Sequence, residues 1–144
     1  MSDPLENARK IKLILFDVDG VLTDGSIWFF PAPASGPRTT DTHTQQHGDA
    51  PGFGIVSHEM VEAKGFNAHD GTAISLARLG GIKTGMVTKR ISETVALRAR
   101  DLKIDFLFQG ADNKSEVLDN ILAQSGLKEE QVAYVGDDVI DQDL

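Results

Sequence analysis

The feature that most constrains the fold is the stretch LILFDVDGVLTDG, in which an apolar run ends on two aspartates. Residues 10–16 are rich in isoleucine and leucine and are bounded by polar residues, which predicts a buried strand. Asp17 and Asp19 follow directly, although a hydrophobic core would reject both charges. Gly20 allows the chain to turn there, because glycine tolerates a positive φ. The stretch therefore predicts a strand that ends by presenting two carboxylates at the edge of a sheet.

The overall composition is that of an ordinary globular protein with an acidic balance. Its 144 residues are enough for one domain, and a net charge of −8 argues against a nucleic-acid partner, which needs a clustered basic surface. A small anionic substrate stays open, because a few cations or a divalent metal can hold one phosphate. The absence of cysteine excludes disulfides and thiolate metal sites. Apolar stretches are strand-sized and the N-terminus lacks a secretory pattern, so we expect a cytoplasmic protein without a membrane partner.

Strand and helix patterns alternate along the chain, which is typical of an α/β domain with a parallel sheet. Strands are expected at residues 10–16, 26–30, 83–88, 105–109 and 132–135. Helices are expected from Asp70 as the cap to Leu79, after Ser92, and over residues 113–125. We expect a single domain over residues 1–144.

A long irregular segment interrupts this alternation. Residues 31–54 hold four of the five prolines and show no periodicity, which predicts a long loop of functional or disordered type. Residues 55–66 are expected to return as the partner strand of residues 26–30. The prediction is a hairpin over about residues 26–66 with an enlarged loop at 31–57. Its aromatic residues are expected to pack at the hairpin or at a subunit interface: Trp28, Phe29 and Phe30.

Polar side chains follow several predicted strands at their carboxyl ends, where open α/β sheets bind ligands. These residues are Asp17, Asp19, Thr88 and Asp137. Carboxylates gathered at one edge repel each other unless a cation neutralises them. Together with Asp138, the three aspartates supply only oxygen ligands, which suit Mg²⁺. The pattern predicts a magnesium site at this edge.

With Mg²⁺ present, these residues can divide the work of phosphoryl transfer. Asp17 can attack a phosphoryl group in line and form an aspartyl-phosphate. Asp19 can protonate the leaving oxygen and later deprotonate the hydrolytic water. Thr88 and Lys114 can bind the transferring phosphoryl oxygens. Lys114 begins a predicted helix, where its charge opposes the helix dipole, and this local conflict itself indicates a functional role.

Four motifs occur in order along the chain: DVDGVLTD at 17–24, VTKR around Thr88, ADNKSE around Lys114 and YVGDDVID at 134–141. With them the sequence resembles the haloacid dehalogenase superfamily of phosphotransferases, which implies a three-layer, Rossmann-like parallel sheet. The segments KGFNAHDG at 64–71 and FQG at 108–110 extend the resemblance to the 3-deoxy-D-manno-octulosonate 8-phosphate (KDO 8-phosphate) phosphatases. Those are small members without a large cap, in which a β-hairpin flap after the first strand takes its place.

The resemblance implies a set of site residues and partners. Mg²⁺ would be held by Asp17, the Asp19 carbonyl and Asp137. The catalytic residues would be Asp17, Asp19, Thr88 and Lys114. Substrate contacts would come from Asp19, Asn67, Ala68, His69, Asp70, Gly71, Arg90, Arg98 and Lys114. The implied reaction is hydrolysis of KDO 8-phosphate, a phosphorylated sugar acid, in lipopolysaccharide biosynthesis. The implied assembly is a homotetramer whose hairpins pack together.

The sequence departs from that family in three respects. About two dozen residues separate the arms of the hairpin, where a short tip is usual. Lys89 stands where glycine is usual, and Ser75 stands where a basic side chain is common. The sequence stops at Leu144, just after the fourth motif, whereas family members continue with a strand, a helix and a Gly-rich tail. We therefore expect part of the family fold to be missing from this sequence.

Other functions stay open on the residues alone. A nonulosonate 9-phosphate would be served by the same side chains, and a catalytically silent assembly domain would need only the hairpin. A phosphorylated receiver-type switch also uses clustered acids, a threonine and a lysine, but its acceptor aspartate follows the third strand, where this chain has Thr88. His43 and His47 lie in the Pro-rich loop without further ligands, which does not favour a metal site.

Overall fold

The computed structural model describes residues 3–31 and 60–137. Its helices are α1 (Pro4–Lys10), α2 (Ala68–Leu79), α3 (Glu93–Leu102), α4 (Lys114–Ser125) and a 3₁₀ turn (Glu129–Gln131). Its strands are β1 (Leu13–Phe16), β2 (Trp28–Pro31), β3 (Met60–Ala63), β4 (Lys83–Thr88), β5 (Phe106–Gln109) and β6 (Val132–Val135). No helix within these two ranges is both long and apolar enough to cross a bilayer. Asp138, His43, His47 and nearly all of the predicted loop lie outside the described residues.

The main sheet has four parallel strands in the order β5-β4-β1-β6. In β1, Phe16 lies opposite Met86 of β4 on one side and Val135 of β6 on the other. Because the strands run in the same direction, the carboxyl ends of β1, β4 and β6 meet at one edge of the sheet. The predicted α/β fold with a parallel sheet is confirmed.

Alternate strand residues fill two hydrophobic cores, one on each face of the sheet. The core on the α4 side contains Leu13, Leu15, Val87, Ala111, Val117 and Ile121. The core on the side of α2 and α3 contains Val18, Leu22, Ile74, Met86, Val95 and Ala99. Neighbouring residues of β4 point to different cores, as Met86 and Val87 show. The sheet is therefore the middle of three layers.

Strands β2 and β3 form a separate antiparallel pair, which we call the ribbon. Trp28 lies opposite Ala63, and Phe30 lies opposite Val61. The ribbon is joined to the loop after β1 by an isolated bridge between Thr23 and Phe66. Most of its large apolar side chains are exposed, namely Trp28, Phe29, Phe30, Met60 and Val61. This is an apolar surface that the described part of the chain does not cover.

Two features of the helices differ from the sequence-based expectations. Helix α1 was not expected, although Asp3 and Pro4 form a start signal: the Asp3 carboxylate accepts a hydrogen bond from the Leu5 amide at 3.0 Å. The expectation that Asp70 caps α2 is wrong. The helix begins at Ala68 because the Asn67 side chain accepts the His69 amide at 2.8 Å, so Asp70 lies within the first turn.

Candidate active site

The loop after β1 places Asp17 at the open edge of the sheet. Its backbone amide donates to the Val135 carbonyl at 2.9 Å, which continues the pairing of β1 with β6. Its Oδ1 accepts the Val18 amide at 2.6 Å, and the residue is buried. The following turn is closed by Thr23, whose Oγ1 accepts the Gly25 amide at 3.2 Å. Asp17 is therefore held both by the sheet and by its own turn.

Lys114 brings a cation against Asp17 from the start of α4. Its Nζ lies 2.8 Å from Asp17 Oδ2, and both side chains are largely buried. The same Nζ donates to the Tyr134 hydroxyl at 2.7 Å. The position of Lys114 is fixed by the helix start, because Asn113 caps α4 by accepting the Ser115 amide at 3.1 Å. The unfavourable placement of a lysine at a helix N-terminus is thus offset by a buried carboxylate.

Asp137 reaches the same edge after β6 and packs against Gly20. Gly20 has a φ of +93°, and a Cβ built there would overlap the Asp137 carboxylate. The space taken by that carboxylate exists only because residue 20 has no side chain. Asp137 is thereby placed beside the turn that carries Asp17 and Asp19.

These oxygens fit a hard divalent cation by their chemistry. The carboxylates of Asp17 and Asp137 are oxygen donors near the turn at Gly20, of the kind that Mg²⁺ binds. No group of three or more His, Cys, Asp or Glu side chains within residues 3–31 and 60–137 forms a metal cluster.

Thr88 ends β4 next to β1 and is almost fully buried. Its Oγ1 accepts the Arg90 amide at 3.2 Å, and its carbonyl accepts the Ala111 amide at 3.1 Å. An Oγ1 that accepts from the main chain can direct its proton to another acceptor. Arg90 follows in the same turn, and its Nη2 lies 3.9 Å from Glu62 Oε2.

The remaining predicted substrate-contact residues form a second group at the N-terminus of α2. Asn67, Ala68 and His69 are exposed there, and Asp70 is partly buried. A Cβ built on Gly71 would lie 2.7 Å from Arg98 Nη2, so Gly71 makes room for that guanidinium. Arg98 also lies over the Phe66 ring at 5.7 Å and pairs with Asp101 at 2.9 Å. Among the described residues, the Nε atoms of both Arg90 and Arg98 are buried without a hydrogen-bond partner.

Two charged residues at the site were not identified from the sequence. Lys64 Nζ lies 2.5 Å from Asp19 Oδ1, and Glu62 Oε1 accepts the Ser92 hydroxyl at 2.5 Å. Their spacing is the signal that the sequence offers. Residues two apart on a strand share a face, and Lys64, directly after β3, extends the face on which Glu62 lies.

Comparisons with known proteins agree with this arrangement. No protein-family model matches the chain. The 3-deoxy-D-manno-octulosonate 8-phosphate phosphatase KdsC of Escherichia coli K12 is 31% identical over 140 residues, which are 97% of this chain and 60% of the relative. The chain thus spans about three fifths of the length of the curated relatives that it matches.

Among the solved structures that are similar in fold are two with a bound metal ion. The KDO 8-phosphate phosphatase of Moraxella catarrhalis, in complex with magnesium, phosphate and KDO, has a TM-score of 0.73 and 29% identity over 96% of this chain and 64% of that one. The cobalt-bound phosphatase YrbI of Haemophilus influenzae has a TM-score of 0.67 and 29% identity over 94% of this chain and 63% of that one.

The chain therefore has the fold of the haloacid dehalogenase (HAD) superfamily. Within that superfamily it resembles the KDO 8-phosphate phosphatases called KdsC.

Proposed function

We propose that this protein is a Mg²⁺-dependent phosphatase that hydrolyses KDO 8-phosphate to KDO and phosphate, as one step of lipopolysaccharide biosynthesis in the cytoplasm. The observation that carries the proposal is the buried pair of Asp17 and Lys114 at the sheet edge, with Asp137 packed beside it. The similarity to KdsC and to a structure that holds magnesium, phosphate and KDO supports the choice of substrate.

Asp17 is the nucleophile in the proposed mechanism. A carboxylate oxygen of Asp17 forms a bond to phosphorus while the bond from phosphorus to the sugar oxygen breaks. Asp19 gives its proton to the departing sugar oxygen. Asp19 then takes a proton from water, the water oxygen attacks phosphorus, and phosphate leaves with Asp17 restored. The turn closed by Thr23 keeps the two carboxylates together through both steps.

Other residues stabilise the charge of the phosphoryl group. Lys114 lies against Asp17 and is placed to bind a phosphoryl oxygen that approaches the same carboxylate. Thr88 offers its hydroxyl proton from the neighbouring strand end. Mg²⁺ would be held by Asp17, the Asp19 carbonyl and Asp137, and it would supply positive charge that screens the carboxylates from the phosphate.

The sugar-acid end of the substrate is proposed to lie toward the start of α2. Asn67, Ala68, His69 and Asp70 form its first turn and cap, with Arg98 next to Gly71. The guanidinium groups of Arg90 and Arg98, whose side chains are 25% and 23% exposed, are donors that can bind a carboxylate or a hydroxyl of the substrate. An arginine beside the site also favours an acidic sugar over a neutral one.

A panel of phosphate esters tests the substrate. The protein is expected to prefer KDO 8-phosphate in kcat/KM over a nonulosonate 9-phosphate and over glucose 6-phosphate. A large preference for the nine-carbon acid would replace the proposed substrate with that one. Turnover of none of the esters would overturn the phosphatase proposal and leave an assembly role.

The proposed metal site predicts a specific effect of Gly20→Ala. An alanine at a φ of +93° is strained, so we expect the free energy of unfolding to fall by about 1–2 kcal/mol. The alanine side chain also displaces the Asp137 carboxylate, so we expect Mg²⁺ affinity, measured by titration calorimetry, to fall about tenfold or more. Gly81→Ala is the matched control, since Gly81 has a φ of +79° and nothing within 4 Å. Equal Mg²⁺ affinities in the two variants would contradict the proposed ligand role of Asp137.

The ribbon is proposed to hold a homotetramer together. Trp28 and Phe30 are exposed by 60% and 53%, and covering them with other copies of the ribbon would remove this apolar area from water. The double variant Trp28→Ser, Phe30→Ser is expected to lower the molar mass measured by light scattering. Leu79→Ser is the control, because Leu79 is 81% exposed but lies on α2. A double variant with unchanged mass would show that the ribbon is not the interface.

A further inference from the structure

The side chain of Lys64 is buried, although the residue directly follows a strand of the exposed ribbon. Its side chain has 0% exposure, although a lysine is almost never fully buried without an acidic partner. Lys64 follows β3 directly, at the point where the ribbon meets the loop after β1 through the bridge of Thr23 and Phe66. A lysine at the end of an exposed two-stranded ribbon would ordinarily turn its ammonium into water.

The ammonium of Lys64 has two acidic neighbours at different distances. It lies 2.5 Å from Asp19 Oδ1 and 4.0 Å from Glu62 Oε1. Glu62 is engaged elsewhere, because Oε1 accepts the Ser92 hydroxyl at 2.5 Å and its carbonyl accepts the Thr94 hydroxyl at 3.2 Å. Asp19 is therefore the partner that determines where the Lys64 ammonium lies, and Glu62 anchors the strand that precedes the lysine.

We propose that Lys64 is a positioning residue that orients Asp19 for proton transfer. The buried ammonium holds Oδ1, so that Oδ2 remains to give the proton to the leaving oxygen and to take one from water. Asp19 is 22% exposed in its side chain and sits on a turn, so without Lys64 its carboxylate can rotate toward solvent. This inference rests on the proposed function, because it assigns Lys64 to the same reaction.

A purely structural role for Lys64 makes a different prediction from a positioning role. If Lys64 only closes the ribbon against the loop, its removal affects all phosphate esters equally. If it orients the acid, the loss depends on the leaving group. The sugar alkoxide needs a proton as it departs, whereas p-nitrophenolate is a stable anion that departs without one.

The experiment compares kcat/KM for KDO 8-phosphate and for p-nitrophenyl phosphate in the full-length protein. Lys64→Met is expected to lower kcat/KM about 100-fold for the sugar phosphate and no more than about threefold for p-nitrophenyl phosphate. For the sugar phosphate, KM should change less than kcat. Lys64→Arg should recover part of the loss, because it keeps a cation near Oδ1. Lys10→Met, which removes an exposed lysine 3.8 Å from Glu130, is the control and should change neither value.

A second measurement keeps the test independent of folding. In an Asp19→Asn background, Lys64→Met should change kcat/KM for the sugar phosphate less than about threefold, since the oriented acid is already gone. Thermal unfolding midpoints are measured for the unmodified protein, the two single variants and the double variant. The shifts caused by the two substitutions should likewise be non-additive. Equal losses for both esters, or additive effects of the two substitutions on kcat/KM, would overturn the inference. If the substrate panel rejects KDO 8-phosphate, glycerol 2-phosphate serves as the alkyl ester, so the two proposals fail separately.

Discussion

Asp17→Asn is expected to lower phosphate release by at least about 10⁴-fold, because the amide cannot form the covalent phosphoryl intermediate. The substitution preserves the size of the side chain, so the sheet edge is expected to keep its packing. Asp17 lies between β1 and the turn after it, and the hydrogen bond from its backbone amide to the Val135 carbonyl remains in the variant. The measurement is kcat for the preferred phosphate ester under saturating Mg²⁺.

Asp119→Asn is the matched control for that substitution. Asp119 lies exposed on α4, so the same change of charge there is expected to leave kcat within about twofold of the unmodified protein. An Asp17→Asn variant that turns over at the unmodified rate would rule out Asp17 as the nucleophile.

Lys114→Met is the second large effect that we expect. The ammonium that it removes lies 2.8 Å from Asp17 Oδ2 and 2.7 Å from the Tyr134 hydroxyl. We expect kcat/KM to fall about 10²–10³-fold, because a donor aimed at the developing phosphoryl charge is lost. Stability should also fall, by about 3 kcal/mol when no metal is bound, since a buried carboxylate loses its cation. The two quantities are measured by steady-state kinetics and by urea unfolding with a chelator present.

Adding Mg²⁺ distinguishes the loss of stability in Lys114→Met from the loss of activity. Adding Mg²⁺ supplies a new cation to Asp17, so we expect most of the lost stability to return while kcat/KM stays low. Lys12→Met is the control, because Lys12 is exposed next to β1. A Lys114→Met variant whose activity recovers together with its stability would assign Lys114 a structural role only.

The sheet and the Asp17 site were predictable because local patterns determine them. A run of apolar residues that ends on Asp17, and a helix that starts on Lys114 against its own dipole, are both visible without the fold. A parallel sheet brings strand ends together at one edge, so the ion pair between two residues 97 positions apart follows from topology. The start of α2 was predicted three residues too late because Asp70 and Asn67 are both good capping residues.

Lys64 and Glu62 were not predictable in the same way. A lysine after a short strand gives the same local pattern whether it is solvated or buried, and lysines are usually solvated. Its burial depends on how the ribbon docks on the loop after β1, which brings it to an aspartate 45 residues away. The same reasoning applies to Gly71, whose role appears only when Arg98 is seen against it.

The central claim is that Asp17 carries the phosphoryl group, and trapping that intermediate tests it most directly. The full-length protein is mixed with substrate and Mg²⁺, quenched in acid during turnover, reduced with borohydride and digested for peptide mass mapping. The account predicts a phosphoryl group on Asp17, which borohydride converts to homoserine at that position alone. Modification of a different residue, or rapid phosphate release with Asp17 never modified, would contradict it.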